Sequence, residues 1–348
     1  MSREDDAEMF GGLDMLDEGG ARPFAPEQMV ACEECLRANA PTRVACLYCG
    51  AALPRTEQST ALRRPTLKRL EEWEQGFNVV TLARAAGVLT SDAADEAATL
   101  LRLDVGALKE IALAGRAMPL ARAASADEAW LVVEKLRELG LGTEVFPDEV
   151  LAQRPLRVRA FEFEEDALVC REVPEAEPRR VAWSKLVLLV TGRIVSRRVE
   201  VAERKRSLGT RSETVETREL ASDEAVLDLY TSSVEEHEAG FRVMLGGFDY
   251  SCLGEGKGLL AAENFKTLVA TLVARAPAAV HDEEYGRLRP LLSDVWPSAE
   301  RTESLGLRRR RAGRLNTEAV TTISNETQFT RYARLRHLLV LRARARES

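Results

Sequence analysis

Residues 32–50 read CEECLRANAPTRVACLYCG and contain two C-x2-C pairs with ten residues between them. The four cysteines are Cys32, Cys35, Cys46 and Cys49. Two residues between cysteines form a tight turn, a knuckle, that directs both sulfurs at one ion, and zinc takes four such ligands in a tetrahedron. The spacing therefore predicts one structural zinc ion bound by these four thiolates. Because the protein would fill all four positions, we do not expect a catalytic zinc.

The same stretch resembles the nuclear-pore type of Ran-binding-protein zinc finger. Three residues separate Cys35 from Asn39, and six separate Asn39 from Cys46. In that family the asparagine side chain steadies the two knuckles, and some members bind single-stranded RNA or ubiquitin. The family has a tryptophan two residues before the first cysteine, where this chain has Val30. A generic zinc ribbon fits the spacing as well, so both interpretations remain open.

The finger offers few side chains to a nucleic acid. Tyr48 could stack on a base, and Arg37 and Arg43 could contact phosphates. Glu33 and Glu34 lie beside them in the sequence and oppose such binding. This balance of charge favours a solvated face or a surface that docks a protein.

Length and composition predict a folded protein of several domains. A chain of 348 residues is too long for one hydrophobic core, so two or three domains are expected. The hydrophobic fraction of 45% is that of a folded chain, and the aromatic fraction is only 5%. Ala, Leu and Val must then supply the core of helices and strands. The predicted fold class is multidomain α+β.

Charge is unevenly distributed along the chain. The formal net charge of -7 argues against simple coating of nucleic acid. Residues 1–31 carry eight acids and two bases, whereas residues 301–348 carry twelve arginines and four acids. The two ends could attract one another, or each could bind an oppositely charged partner.

The sequence predicts a cytoplasmic protein. Its acidic start, MSREDDAEMF, lacks the basic and apolar regions of a secretory signal. No apolar run approaches the roughly 18 residues that would span a bilayer. Four cysteines are clustered, and Cys170 and Cys252 stand alone in apolar surroundings. This pattern suits a reducing compartment better than a framework of disulfides.

Composition and periodicity divide the chain into six predicted segments. They are an acidic flexible tail at 1–26, the zinc ribbon at 27–54, a linker at 55–75, a small α/β module at 76–150, a β domain at 151–280 and a basic helical extension at 281–348.

The α/β module is predicted from alternating strand and helix patterns. Strands are expected at 77–82, 118–123 and 143–146, and helical apolar spacing runs over 91–113. Ser125 and Glu128 form a capping box for another helix. The stretch PLARAASADEAWLVVEKLRELGLGTEVF at 119–146 resembles the end of the C-terminal domain of the bacterial ribosomal stalk protein. That resemblance implies a shared α/β fold.

The β domain is predicted as several strands followed by one helix at 263–276. A curled antiparallel sheet closed by this helix would bury both apolar faces, and the order resembles the pleckstrin-homology-like fold. Trp183 is expected in the core. The first hairpin is acidic, with Glu162, Glu164, Glu165 and Asp166, which disfavours binding of lipid headgroups. Strands are expected at 156–163, 167–173, 181–190, 199–201, 226–230, 241–245 and 248–253.

The last segment is predicted as helix, basic turn and helix. Residues 281–295 should be helical, and Arg308 to Arg311 should form an exposed turn. Ser324 or Asn325 can cap a final helix that packs on its own domain with arginines outward.

No catalytic motif stands out. Asp249, Glu263 and Asn264 flank a G-x-G-x-G run at 254–258, but that run lacks the strand-to-helix context of a dinucleotide site. The three histidines lie in no nucleophile or metal motif and are expected at the surface.

These observations favour a non-enzymatic zinc-binding adaptor or scaffold with a protein partner. The alternative is a nucleic-acid-binding regulator that uses the finger, Arg308 to Arg314 and the final helix. An enzyme with a site assembled from scattered residues such as Asp249 and Asn264 is the third possibility.

Overall fold

The chain forms two compact units, Met1–Arg64 and Pro65–Ser348. Most of the predicted tail at 1–26 and parts of the predicted linker at 55–75 lie outside the described residues. The fold is mixed α+β, as predicted, whereas the zinc-ribbon and pleckstrin-homology-like names stay predictions. The structure is a computed structural model that describes residues 24–54, 56, 59, 62–63, 65, 67–71, 73–82, 90–173, 177–205, 212–233, 240–311 and 314–347.

The first unit is built around its cysteines. Strand β1 (Val30–Ala31) pairs antiparallel with β2 (Ala38–Asn39) after a 3-10 turn at Pro26–Gln28. Its buried cluster consists of Val30, Cys32, Cys46 and Leu53. A core in which two of four members are cysteines has little apolar area, so its stability depends on what the thiols bind.

The second unit begins with a three-stranded antiparallel sheet. Strand β3 (Phe77–Thr81) lies between β4 (Pro119–Ala123) and β5 (Thr143–Pro147). The helices of this region are α1 (Ser91–Leu101), α2 (Val105–Leu113), α3 (Ala126–Glu138) and α4 (Asp148–Leu151). The Ser125 hydroxyl accepts a hydrogen bond from the backbone N–H of Glu128 at 3.2 Å, so the predicted cap is confirmed.

Helical spacing was expected over 91–113, and the structure has two helices there. The backbone of Arg102 adopts the left-handed conformation with φ 56°, which ends α1. The Asp104 carboxylate then accepts from the N–H of Ala107 and starts α2. Apolar spacing continues across the break, so the pattern did not give the position at which the first helix ends.

The rest of the unit is rich in strands. Seven strands form one sheet in the order β14-β15-β10-β11-β12-β6, with β13 beside β10, and β7, β8 and β9 form another. Helix α5 (Ala261–Arg275) buries Phe265, Leu268 and Leu272 in a core shared with both sheets. The strands are β6 (Leu156–Arg157), β7 (Ala160–Phe163), β8 (Ala167–Arg171), β9 (Arg179–Ala182), β10 (Leu186–Lys205), β11 (Ser212–Thr231), β12 (Gly240–Met244), β13 (Val280–Asp282), β14 (Ala299–Arg311) and β15 (Arg314–Ser324).

Several predicted strands differ from those observed. The strand expected at 248–253 is wrong, because residues Tyr250–Gly256 form a 3-10 turn. The short strand expected at 199–201 belongs to the 20-residue β10. Trp183 lies half-buried in a 3-10 turn between β9 and β10, where its indole N–H donates to the Glu164 carbonyl at 3.2 Å.

The C-terminal segment also departs from its prediction. Residues 281–295 are not one helix, since β13 precedes α6 (Tyr285–Leu292). Arg308 to Arg311 lie in strand β14 and not in a turn. The final helix α7 (Glu326–Glu347) follows Ser324, whose hydroxyl accepts from the N–H of Glu326.

Helix α7 packs into its own unit, as predicted, but only its later arginines Arg342 and Arg346 are exposed. Residues 328–335 are all buried, including Arg331 and Arg334. An Arg331 guanidinium nitrogen lies 3.3 Å from an Asp148 oxygen, and Arg334 donates to Gln153 at 2.5 Å. His337 was expected at the surface, and it is wholly buried. The helix is therefore central to the unit.

One core joins segments that the sequence suggested as separate modules. One buried cluster contains Val79 of β3, Leu188 of β10, Phe329 of α7 and also Trp296. The indole N–H of Trp296 donates to Asn78 of β3 at 2.8 Å. In the described part of the chain, no helix is both long and apolar enough to cross a membrane.

Candidate metal centre

The four predicted ligands lie together in the first unit. Their Sγ atoms are all within 4.8 Å of one another. Two of the sulfur pairs, Cys32 with Cys49 and Cys35 with Cys46, are 3.5 Å apart. A tetrahedron of thiolates at about 2.3 Å from zinc has edges of about 3.8 Å. The four sulfurs therefore lie close enough together to hold a metal ion.

The two knuckles have equivalent backbones. The N–H of Leu36 donates to the Cys32 carbonyl at 2.9 Å, and the N–H of Gly50 donates to the Cys46 carbonyl at 3.0 Å. Leu36 and Gly50 each follow the second cysteine of a pair, and both have positive φ, 59° and 76°. The same turn thus occurs twice, with leucine in the first knuckle where the second has glycine.

Asn39 connects the knuckles from a buried position. Its amide nitrogen donates to the Arg37 carbonyl at 2.8 Å and lies 3.4 Å from Cys46 Sγ. Its amide oxygen accepts from the N–H of Leu47 at 2.8 Å. One side chain therefore ties the end of the first knuckle to the start of the second.

Hydrogen bonds prepare one thiol for deprotonation. Burial by itself would raise the pKa of Cys46, but the N–H groups of Tyr48 and Cys49 and the Asn39 amide lower this pKa to about 6. At Cys49 the Ala51 N–H lowers the pKa, whereas the contact with Cys32 and burial outweigh it and raise the pKa to about 12. A divalent cation binding here must displace the remaining protons, so its affinity should rise with pH.

The donor set indicates the kind of metal and its role. Four thiolates are soft ligands that select zinc over magnesium or calcium. Cys32 and Cys46 are buried, and Cys49 is exposed. A group of four sulfurs fills a tetrahedron and leaves no coordination position for a substrate. The four cysteines could therefore hold one metal ion without an open coordination position.

Large apolar and aromatic side chains next to the four cysteines are exposed to solvent. Leu36 is 81% exposed, Leu47 63% and Tyr48 53%. The Arg37 guanidinium lies over the Tyr48 ring at 4.6 Å, which connects the two knuckles at the surface. The sequence interpretation selected Arg37 and Tyr48 but missed both leucines. Both leucines directly follow a cysteine of the cluster, and this was the sequence signal for their exposure. When the cysteine sulfurs point inward, the neighbouring side chains point outward.

The other candidate residues have structural partners. Asp249 accepts hydrogen bonds from the Ser251 N–H at 3.0 Å and from its hydroxyl at 2.6 Å, which lowers the pKa of Asp249. Asn264 accepts from the Gly258 N–H at 2.7 Å and donates to the Gly258 carbonyl at 3.0 Å. These bonds hold the glycine-rich loop against the start of α5.

Comparison of the chain with protein-family models, with curated proteins and with solved structures found no match.

Proposed function

We propose that this protein is a non-enzymatic adaptor whose N-terminal zinc module binds a protein partner. The observation that carries the proposal is Leu36, which has a left-handed backbone and an 81% exposed side chain. A left-handed residue with a side chain costs about 1 kcal/mol relative to glycine. Gly50 occupies the equivalent place in the other knuckle. Leucine is unfavourable in this backbone conformation, and its exposed side chain does not contribute to the core. Contact with a partner is the best explanation for a leucine here.

The neighbouring side chains make a surface of suitable chemistry. Leu36, Leu47 and Tyr48 are apolar or aromatic, and Arg37 stacks on the tyrosine ring. Aromatic and arginine side chains are enriched at the centres of protein interfaces. The acidic Glu33 and Glu34 beside them disfavour an anionic partner. A protein with a complementary apolar pocket fits this surface best.

The zinc ion would act by holding the surface in shape. Structural zinc contributes about 10 to 16 kcal/mol in finger peptides, far more than a core of this size can supply. The six cysteines, all free thiols, fit a reducing cytoplasm. We place the adaptor there.

A pull-down with matched variants tests the proposal. Leu36→Gly keeps the knuckle backbone and removes the exposed side chain, and Leu47→Ser removes a second contact. Leu113→Ser is the control, because Leu113 is 84% exposed and belongs to the second unit. We expect one partner bound in stoichiometric amount by the native chain and by Leu113→Ser. Both finger variants should lose that partner while retaining zinc.

Two results would contradict the adaptor. One is a stoichiometric partner that remains bound to both finger variants and after removal of the metal. The other is a purified protein that turns over a metabolite, which would require a catalytic site.

A further inference from the structure

A cavity of about 360 Å³ lies in the second unit, between four segments of the chain. The lining residues come from 67–70, from 101–103 at the end of α1, from 120–122 of β4 and from 293–297 after α6. Pockets for small molecules have volumes of about 300 to 1,000 Å³. The cavity is therefore large enough for a small molecule.

The lining of this cavity combines apolar and basic side chains. Leu67, Leu101 and Leu120 belong to its wall and are almost completely buried. Four of the lining residues are bases and one is an acid, a net charge of +3 in a chain whose total is -7. Apolar walls with concentrated positive charge suit a molecule that has an apolar body and an anionic group. The bases are Lys68, Arg69, Arg102 and Arg122, and the acid is Asp294.

The buried Arg122 has one donor that the described chain does not use. Its side chain is 7% exposed, and its Nη2 donates to the Glu74 carbonyl at 2.8 Å and to Asp148 at 2.5 Å. Asp148 also lies 3.3 Å from Arg331, so two guanidinium groups share this carboxylate. The Nε–H of Arg122 has no hydrogen-bond partner among the described residues. Because a buried charged donor without an acceptor is unfavourable, an anionic oxygen in the cavity would stabilise it.

Arg102 occupies a backbone position that favours glycine. Its φ of 56° and ψ of 36° are left-handed, and its N–H closes the last turn of α1. Glycine adopts this conformation without the steric cost that a side chain brings. The exposed side chains of Arg102 and Arg69 form no ion pair or hydrogen bond within the described part of the chain. A strained residue without a compensating contact is typical of positions that bind a ligand.

We propose that this cavity binds a small aliphatic phosphate monoester. Guanidinium groups bind phosphate through paired, charge-assisted hydrogen bonds. A phosphate monoester has three terminal oxygens and a charge of about -1.5 to -2 at neutral pH, and three arginines line the cavity. A carboxylate has two oxygens and a single charge, so it would leave part of this donor set without a partner.

The apolar part of the lining favours an aliphatic body over a nucleotide. The described residues that line the cavity include no Phe, Tyr, Trp or His. A nucleobase would therefore find no aromatic ring on which to stack. The leucines of the wall instead suit a short alkyl chain, whose burial contributes to affinity in proportion to the apolar area removed from water.

Isothermal titration calorimetry of the full-length protein with hexyl phosphate, inorganic phosphate and hexanol tests the proposal. Hexyl phosphate should bind one molecule per chain. Inorganic phosphate lacks the apolar body and should bind more weakly, and hexanol lacks the charge and should not bind measurably. No binding of hexyl phosphate, or binding no tighter than that of inorganic phosphate, would overturn the proposal.

Two variants of Arg102 separate loss of binding from loss of folding. Arg102→Gly removes the guanidinium group and relieves the backbone, so it should weaken hexyl phosphate at least about tenfold while raising the urea midpoint of the second unit. Arg102→Gln should weaken binding to the same extent without raising that midpoint. Arg69→Gln should also weaken binding about tenfold. The control is Arg137→Gln, because Arg137 is exposed at the end of α3 and does not line the cavity.

Native affinity in both Arg69→Gln and Arg102→Gly, or an equal loss in Arg137→Gln, would contradict the assignment of the site. Vesicles of phosphatidylcholine with phosphatidic acid distinguish a lipid headgroup from a free ester. Sedimentation of the native protein with these vesicles, abolished in Arg102→Gly, would replace the small ester by a lipid. Because the cavity belongs to the second unit, chelation of zinc should leave hexyl phosphate binding intact, which separates this test from that of the adaptor.

Discussion

At the scale of single residues, this protein departs from ordinary preferences at Leu36 and His337. Leu36 has φ 59° with its side chain in solvent. His337 is wholly buried and stacks on Tyr230 with ring centroids 4.6 Å apart. Its Nε2 donates to the Thr231 carbonyl at 2.7 Å, and its Nδ1 accepts from Arg334, which can only donate. The imidazole is therefore neutral in the folded chain.

The change Leu36→Gly should stabilise the zinc-bound module. Glycine adopts positive φ without the steric cost of a side chain, so we expect a gain of about 1 kcal/mol. That gain corresponds to roughly fivefold tighter zinc in a competition with a chromophoric chelator. Leu47→Gly is the control, because Leu47 has no positive φ, and it should not tighten zinc. An unchanged or weaker affinity for Leu36→Gly would show that the leucine is not strained.

The buried His337 should make the second unit sensitive to acid. Burial lowers the pKa of His337 to about 4, with Arg334 adding to the effect. The unfolded chain, with a histidine pKa of about 6.5, binds the proton more readily. Stability is therefore complete above about pH 6.5 and falls as the pH drops toward 4. Urea unfolding followed by tryptophan fluorescence should show a loss of about 1 kcal/mol between pH 7 and 5.5.

The variant His337→Gln isolates this contribution. Glutamine can still donate to the Thr231 carbonyl but does not titrate, so the loss between pH 7 and 5.5 should largely disappear. All four tryptophans, at positions 73, 130, 183 and 296, belong to the second unit. The first unit therefore does not contribute to the signal. A pH dependence that persists in the variant would assign the effect to other groups.

At the scale of elements, the long strand β10 depends on one close contact with the helices. A Cβ at Gly192 would lie 2.6 Å from Cε2 of the Phe329 ring and 2.9 Å from Cδ1 of Tyr285. The rings of Tyr285 and Phe329 themselves pack edge to face at 4.9 Å. Glycine thus lets α6 and α7 approach strand β10 closely.

Gly192→Ala should destabilise the second unit. The added methyl group must displace two packed rings, and overpacking of this kind costs about 1 to 3 kcal/mol. The control is Gly286→Ala in helix α6, where nothing lies within 4 Å of the added atom, and it should be neutral or slightly stabilising. Urea midpoints of the two variants make the comparison. Equal midpoints would mean that the rings can move aside at no cost.

At the scale of the whole molecule, the chain consists of two units, and each unit is stabilised by a different kind of interaction. The first depends on four cysteines, and the second on an apolar core that joins β3, β10 and α7. The second unit also has a buried ion pair, in which Arg242 contacts Asp228 at 2.7 Å and 2.8 Å. Loss of metal should therefore affect one unit and not the other.

Cys46→Ser should abolish zinc binding and unfold the first unit alone. Serine is a poor zinc ligand, and Cys46 is also part of the small buried cluster. Metal analysis should find one zinc ion per native chain and none in the variant. Tryptophan fluorescence should report the same unfolding midpoint in both, whereas Cys170→Ser should retain zinc. A stoichiometric ion in Cys46→Ser would exclude the four-sulfur site.

Local spacing determined what could be predicted about the first unit. Two residues between cysteines restrict the chain to a knuckle whatever surrounds it, so the convergence of Cys32, Cys35, Cys46 and Cys49 followed from sequence. The same holds for the Ser125 cap, where the partners are three residues apart. The α+β class followed from strand and helix periods. Contacts within a few residues can be inferred without knowledge of the rest of the fold.

Only the tertiary structure decided the position of the arginines. The pattern of α7 suggested arginines in solvent, but Asp148 and Gln153, remote in sequence, hold Arg331 and Arg334 inside. The run from Arg308 to Arg311 was expected to form a turn, but it pairs with β15 and belongs to strand β14. The free energy of a charged side chain or of an unpaired strand depends on partners that are often remote in the chain. No local pattern identifies those partners.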